Sequence, residues 1–155
     1  MKNILVSDQD RDILSSHKWL CIKTQPSSNT NYVKTKIKLK TTYLHRLIME
    51  RVIGRCLESD ERVDHIDQNG LNNTRENLRI VTAHQNAFNQ PKRKKSSSKY
   101  KGVTFFERDK SWHARICFNG KTIHLGYYHD ESSAAQKYNE AASKYFGSYA
   151  FLNKV

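Results

Sequence analysis

The sequence predicts an α+β chain of two small units joined by a basic linker. Three observations carry this. Residues 62–89, RVDHIDQNGLNNTRENLRIVTAHQNAFN, run through strand, loop, strand and helix signals in turn. Residues 100–147 place three strand signals before one helical pattern. Residues 90–99, QPKRKKSSSK, break the composition between them with a proline, a basic run and serines.

In chain order, residues 4–6 are a strand candidate, and Ser7 or Asp8 is placed to cap a short helix running to Leu14. Residues 19–23 and 32–39 alternate as two strands across a polar loop at 25–31. In the second strand Lys34, Lys36, Lys38 and Lys40 fall on one face by the two-residue repeat, either along a phosphate backbone or simply in solvent. Residues 43–53 carry Leu44, Leu47, Ile48 and Val52 at helical spacing, and Gly54 stops that helix. Val63 to Asp67 alternate as a strand that Asn69-Gly70 breaks, and residues 78–81 are a second apolar run. Thr82 then precedes Gln85 at the spacing of a capping box.

Strand neighbours point to opposite faces, so Asp64 and His65 do not suit joint ligation of one metal. One ligand and one base around a shared phosphate fits them better. A His of near-neutral pKa can take a proton from water, and a divalent metal neutralises charge at a phosphate. Asp64-His65, Asn72-Asn73, Asn77-Leu78 and Asn86 together resemble the signature of the HNH homing-type endonucleases and their ββα-metal motif. The resemblance implies His65 as general base, Asn77 as its orienter, and Asp64 and Asn86 as ligands of one Mg²⁺ or Mn²⁺ ion. Asn86 stands where the family often has His. Its carbonyl is a hard oxygen donor that suits such an ion. Asn73 and His45 are possible secondary members. Leu-His-Arg at 44–46 also occurs upstream of the motif in that family, and His45 either approaches the phosphate or holds the core.

Residues 100–106, 112–118 and 121–128 are the strand candidates of the second unit, with Asn119-Gly120 as a hairpin turn. Asp130 caps a helix bearing Ala134, Ala135, Tyr138, Ala141, Ala142 and Tyr145, which ends at Gly147. Tyr100-Lys101-Gly102-Val103, Trp112-x-Ala114-x-Ile116, Leu125-Gly126 and the alanine-rich helix resemble the Apetala-two/ethylene-response-factor DNA-binding domain. That family lays its sheet in the major groove. The resemblance implies Arg108, Lys110, Trp112 and Arg115 as leading DNA contacts, with Lys101 and Lys121 in support. Trp112 and Arg115 are an odd number apart, which puts them on opposite faces unless the strand bulges or twists.

Net charge is +12, with 27 Lys and Arg against 15 Asp and Glu, so the expected partner is a polyanion. Residues 91–155 hold 13 basic and 5 acidic residues, a net +8, and residues 1–90 hold 14 and 10, a net +4. The second unit thus carries most of the attraction. The basic tract at 92–95 reads as a phosphate clamp in preference to a nuclear address. No apolar run nears the ~18 residues of a membrane span, and residues 1–12 lack a signal-peptide core, so a cytoplasmic protein of a bacterial or phage-infected cell is expected. Cys21, Cys56 and Cys117 are widely spaced, without C-x-x-C, and read as reduced and mostly buried.

The expected organisation is a nuclease domain at 1–90, a flexible linker at 91–99 and a DNA-binding domain at 100–155. The expected function is a site-directed, metal-dependent endonuclease of homing type, from a phage or mobile element. Its partner is double-stranded DNA, and it acts as a monomer that nicks one strand. The alternatives are a non-catalytic DNA-binding regulator with a decayed nuclease fold, or an RNA-binding protein.

Overall fold

The computed structural model describes residues 3–23, 30–92 and 96–155. The chain divides into two compact units, residues 1–86 and 87–155. Both mix strands and helices, as the α+β reading expects.

In the first unit β1 (Leu5–Val6) pairs in parallel with β6 (Asn72–Asn73). A 3-10 turn, Asp8–Asp10, leads into α1 (Arg11–Ser15). Ser7 makes no cap there; its Oγ instead accepts from the Arg75 backbone N–H at 2.9 Å. β2 (Leu20–Lys23), β3 (Asn31–Ile37) and β4 (Lys40–Tyr43) form an antiparallel sheet in that order. A turn replaces the expected tail of the second strand, because Lys38 and Leu39 adopt positive φ and bring the chain back as β4. The expected comb of four lysines is therefore corrected. Only Lys34 and Lys36 remain together on β3, where strand alternation puts them on the face of Tyr32.

α2 (Leu44–Ile53) ends on Gly54 at φ 70°, the left-handed cap its position suggested. Leu44, Ile48 and Met49 bury one side of it against Ile13, Val33 and Leu78. β5 (Glu61–His65) and β7 (Leu78–Thr82) pair antiparallel, with Asp64 opposite Arg79 and His65 opposite Leu78. α3 (Ala83–Asn89) begins with the expected capping box: the Thr82 N–H donates to Gln85 Oε1 at 2.9 Å, and the Gln85 N–H to Thr82 Oγ1 at 3.2 Å.

In the second unit β8 (Val103–Phe106), β9 (Ser111–Phe118) and β10 (Lys121–Tyr128) form an antiparallel sheet ordered β10-β9-β8. Asn119 and Gly120, both at positive φ, make the β9–β10 turn. α4 (Glu131–Phe146) packs its small residues against one sheet face, and Asp130 caps it through the Ser133 N–H at 2.7 Å. Alanines bring the helix close enough that Tyr138 lies directly on Gly102. A Cβ there would come within 2.0 Å of the Tyr138 ring.

The expected linker is only partly described, and its tract at 93–95 lies outside the described residues. Its serines are anchored. Ser98 is buried and donates to Glu131 Oε1 at 2.7 Å, and the Phe105 N–H donates to Ser97 Oγ at 2.9 Å. The cysteines depart from the expected burial, since Cys56 and Cys117 are exposed and Cys21 is partly so. Cys117 shares the outward parity of Arg115 on β9, which explains its exposure.

Candidate active site

Antiparallel pairing of β5 with β7 sets the two motif residues apart. His65, at the end of β5, is buried at 4% exposure. Its Nε2 lies 3.3 Å from Asn73 Oδ1. The Asn73 Nδ2 donates to Gly70 O at 3.3 Å, which aims the amide oxygen at the imidazole. A carbonyl oxygen can only accept, so Nε2 carries the proton in this contact and Nδ1 holds the lone pair. Burial lowers the His65 pKa, against opposing pulls from Asn73, Asp67 and Asp64.

Gly70 is what allows the loop this close. A Cβ on it would stand 2.3 Å from Asn31 O and 3.1 Å from the Tyr32 ring. Tyr32 in turn meets His65 edge-on at 5.8 Å between ring centroids. His45, from the first turn of α2, meets His65 edge-on at 5.1 Å and stacks on Tyr43 at 5.5 Å. Its Nδ1 is buried without a hydrogen-bond partner. Burial, with His65 and Arg46 adding to it, drives the His45 pKa down to about 3, so the ring is neutral.

Asn77 serves a different atom from the one expected. Its Nδ2 donates to Asp67 Oδ1 at 2.9 Å and to Asn72 O at 2.8 Å, and its Oδ1 accepts from the Asp67 N–H at 3.0 Å. It ties the turn after β5, while Asn73 faces His65. Asp67 also accepts from the Asn69 N–H and from Asn72 Nδ2, both at 2.8 Å. Burial works to raise its pKa, but the bonds from Asn72, Asn69 and Asn77 outweigh it and the carboxyl is lowered.

Asp64 points from the other face of β5. Its Oδ2 accepts from Arg79 Nε at 3.0 Å and Nη2 at 2.8 Å. Asn86 stands on α3, half-buried, and its side-chain amide makes no hydrogen bond among the described residues. Those residues include no cluster of three or more His, Cys, Asp or Glu side chains suited to a metal. Asp64 and Asn86 each offer an oxygen of the hard type that Mg²⁺ and Mn²⁺ prefer.

In the second unit, strand parity separates the expected DNA contacts. Ala114 and Ile116 are buried under α4, and Trp112 shares their face and packs against their cluster. Arg115 is exposed on the opposite face, across from His124. Trp112 is thus a partly buried aromatic on the helix side of the sheet. Lys101 is also turned inward: Nζ donates to Phe88 O at 2.8 Å and Gln90 O at 2.6 Å, and burial lowers its pKa to about 8. Arg108 and Lys110 are exposed in the β8–β9 turn, paired with Asp109 at 2.7 Å and Glu107 at 2.6 Å. Lys121 is exposed at the start of β10.

Sequence reasoning missed an aromatic patch on the open face. His113 stacks on Phe106 at 3.9 Å and meets Tyr127 at 4.1 Å, and Tyr127 meets His124 at 4.4 Å. The parity of Arg115 includes His113, but Tyr127 joins only because the register shifts between His124 and Gly126. Arg79 and Tyr32 were also missed. Arg79 was findable by pairing the two strands of the motif, and Tyr32 had no local signal.

Residues 42–88 match the family model described as HNH endonuclease. An uncharacterized HNH endonuclease of Acanthamoeba polyphaga mimivirus is 38% identical over 143 residues, covering 92% of this chain and 70% of that protein. An AP2-like ethylene-responsive transcription factor of Arabidopsis thaliana is 41% identical over 59 residues, 38% of this chain and 12% of that protein. An APETALA2-like protein of Oryza sativa subsp. indica is 40% identical over 57 residues, 37% of this chain and 13% of that protein. These plant proteins match over the C-terminal region. No solved structure matches, and no described helix is long and apolar enough to cross a membrane. A matching domain over the His65 centre and a relative aligned over nearly the whole chain make this protein a member of the HNH endonuclease family, a nuclease with an AP2-like C-terminal region.

Proposed function

We propose that the chain is a divalent-metal-dependent DNA endonuclease in which His65 Nδ1 takes the proton of the attacking water. The observation carrying this is the His65–Asn73–Gly70 relay, which leaves the Nδ1 lone pair as the basic atom of a buried, neutral ring. Asn73 takes the orienting role first assigned to Asn77, and Asn77 fixes the turn that carries it. Asp64 and Asn86 would hold one Mg²⁺ or Mn²⁺ ion, which supplies neutralisation of phosphate charge when bound. His45 and Tyr32 wall the ring on the sides they meet.

Residues 1–90 cut. Residues 100–155 hold DNA through the open sheet face around Arg115, with Lys121, Arg108 and Lys110 at its edges. A β-ribbon fits the major groove, where Arg reads guanine in two-pronged fashion. The resemblance to homing-type enzymes supports a site-directed element of phage or mobile origin. One His65 centre per chain meets one strand in the right sense, so the monomer nicks.

The test is cleavage of supercoiled plasmid by wild type and His65→Ala, with Mg²⁺ or with excess chelator. The variant is expected to lose ~10²–10⁴ in rate. Wild type should stop in chelator, with nicked circles accumulating before linear DNA. A variant that cuts at the parental rate removes His65 as base, and full activity in chelator removes the metal.

A further inference from the structure

Asp64 already has a cation beside it. Arg79 stands directly opposite in the β5–β7 register and sets two N–H donors on one carboxylate oxygen. Both side chains are largely buried, Asp64 at 7% exposure and Arg79 at 16%. A carboxylate taken this far from water is strongly disfavoured without a counter-charge, so the metal-free fold needs this partner. Its cost falls on the metal. A guanidinium and a carboxylate in contact present no net charge to a divalent ion, and the Asn86 amide offers only a dipole.

We propose that Arg79 is an internal counter-cation that competes with the divalent ion for Asp64. Metal then loads weakly on the free protein and tightly once a DNA phosphate adds its negative charge. This rests on Asp64 being a metal ligand. Coupling of this kind is reciprocal: if DNA tightens the metal, the metal tightens DNA by the same factor. The nuclease centre is thereby completed on its substrate and not in free solution. Arg79 acts through Asp64 and is a positioning residue.

The test uses full-length protein and Mn²⁺ titrated by calorimetry, with thermal melts alongside. Arg79→Gln keeps a donor but removes the charge. Without DNA it should bind Mn²⁺ about 5-fold or more tightly than wild type. It should also melt lower than wild type when metal-free and gain more from Mn²⁺. Arg79→Lys keeps the charge and should bind Mn²⁺ as wild type does. A duplex added in the His65→Ala background, which keeps the DNA intact, should tighten Mn²⁺ by about 5-fold or more. This arm stands even if Arg79→Gln fails to fold. Asp64→Asn should abolish Mn²⁺ binding throughout. Equal or weaker Mn²⁺ binding by Arg79→Gln, or no effect of the duplex, overturns the proposal while leaving Asp64 as a ligand. Mn²⁺ binding that survives Asp64→Asn removes the ligand assignment itself.

Discussion

The two units differ in what they bury beside their apolar cores. Around His65 the first unit buries His45, Asp64, Asn73 and Asn77, and the Asn73 and Asn77 amides run through the loop that follows β5. The second unit seals one sheet face with Ala134, Ala135, Ala141 and Ala142, and Asn89, Ser98, His113 and Asn153 are its buried polar residues among those described. A buried polar network tolerates little change because any lost partner strands another group. An alanine-packed layer instead leaves no room for added volume. The proposed function assigns reaction geometry to the first unit and surface recognition to the second.

The largest expected effect sharpens the reading of the second unit. Trp112→Ala should remove about 3 kcal/mol of stability by opening a cavity under α4, measured as a lowered urea midpoint. A Trp112 that served DNA alone would leave the midpoint unchanged and weaken only binding. Next comes the relay. Asn73→Ala should slow cleavage by about 10²-fold at saturating DNA, because the freed imidazole loses its tautomer and aim. Asn77→Ala should show more loss of thermal stability than of rate. The reverse order would restore Asn77 as the residue that orients His65.

Acid should separate the units as well. His45 and His65 both have pKa values lowered by burial, His45 from 6.5 to about 3. Unfolding lets these rings take up protons, so below pH 6.5 the unfolded state binds more of them and stability falls as pH drops. For His45 alone the loss is about 2 kcal/mol between pH 6.5 and 5, continuing toward its folded pKa. Urea midpoints at the two pH values should converge in His45→Phe. An equal pH response in that variant would mean His45 is charged in the fold. The smallest effects belong to Arg108→Ala and Lys110→Ala. Both side chains are exposed and ion-paired within their own turn. Each should change DNA affinity by less than about 1 kcal/mol, seen as a small loss in the salt dependence of binding.

Much of this was legible because it is local. The Asn119-Gly120 turn, the Thr82–Gln85 box and the Asp130 cap depend on residues within three of each other, and all formed. The contact of Asn73, and not Asn77, with His65 was not legible. It depends on how the loop at 66–77 folds back on itself, with Gly70 pressed on the strand at Asn31. The lysine comb failed at Lys38 and Leu39, two residue types that rarely take positive φ and so give no warning of a turn. At Trp112 and Arg115 strand parity had already posed the conflict, and packing against α4 decided it.

The division of labour is tested most directly by measuring DNA affinity and single-turnover cleavage in parallel on His65→Ala and Arg115→Ala. His65→Ala should lose cleavage and keep affinity within a few fold. Arg115→Ala should lose about 10-fold in affinity and still cut at the wild-type rate once DNA is saturating. Affinity and saturated rate falling together in both variants would contradict a cutting unit and a holding unit.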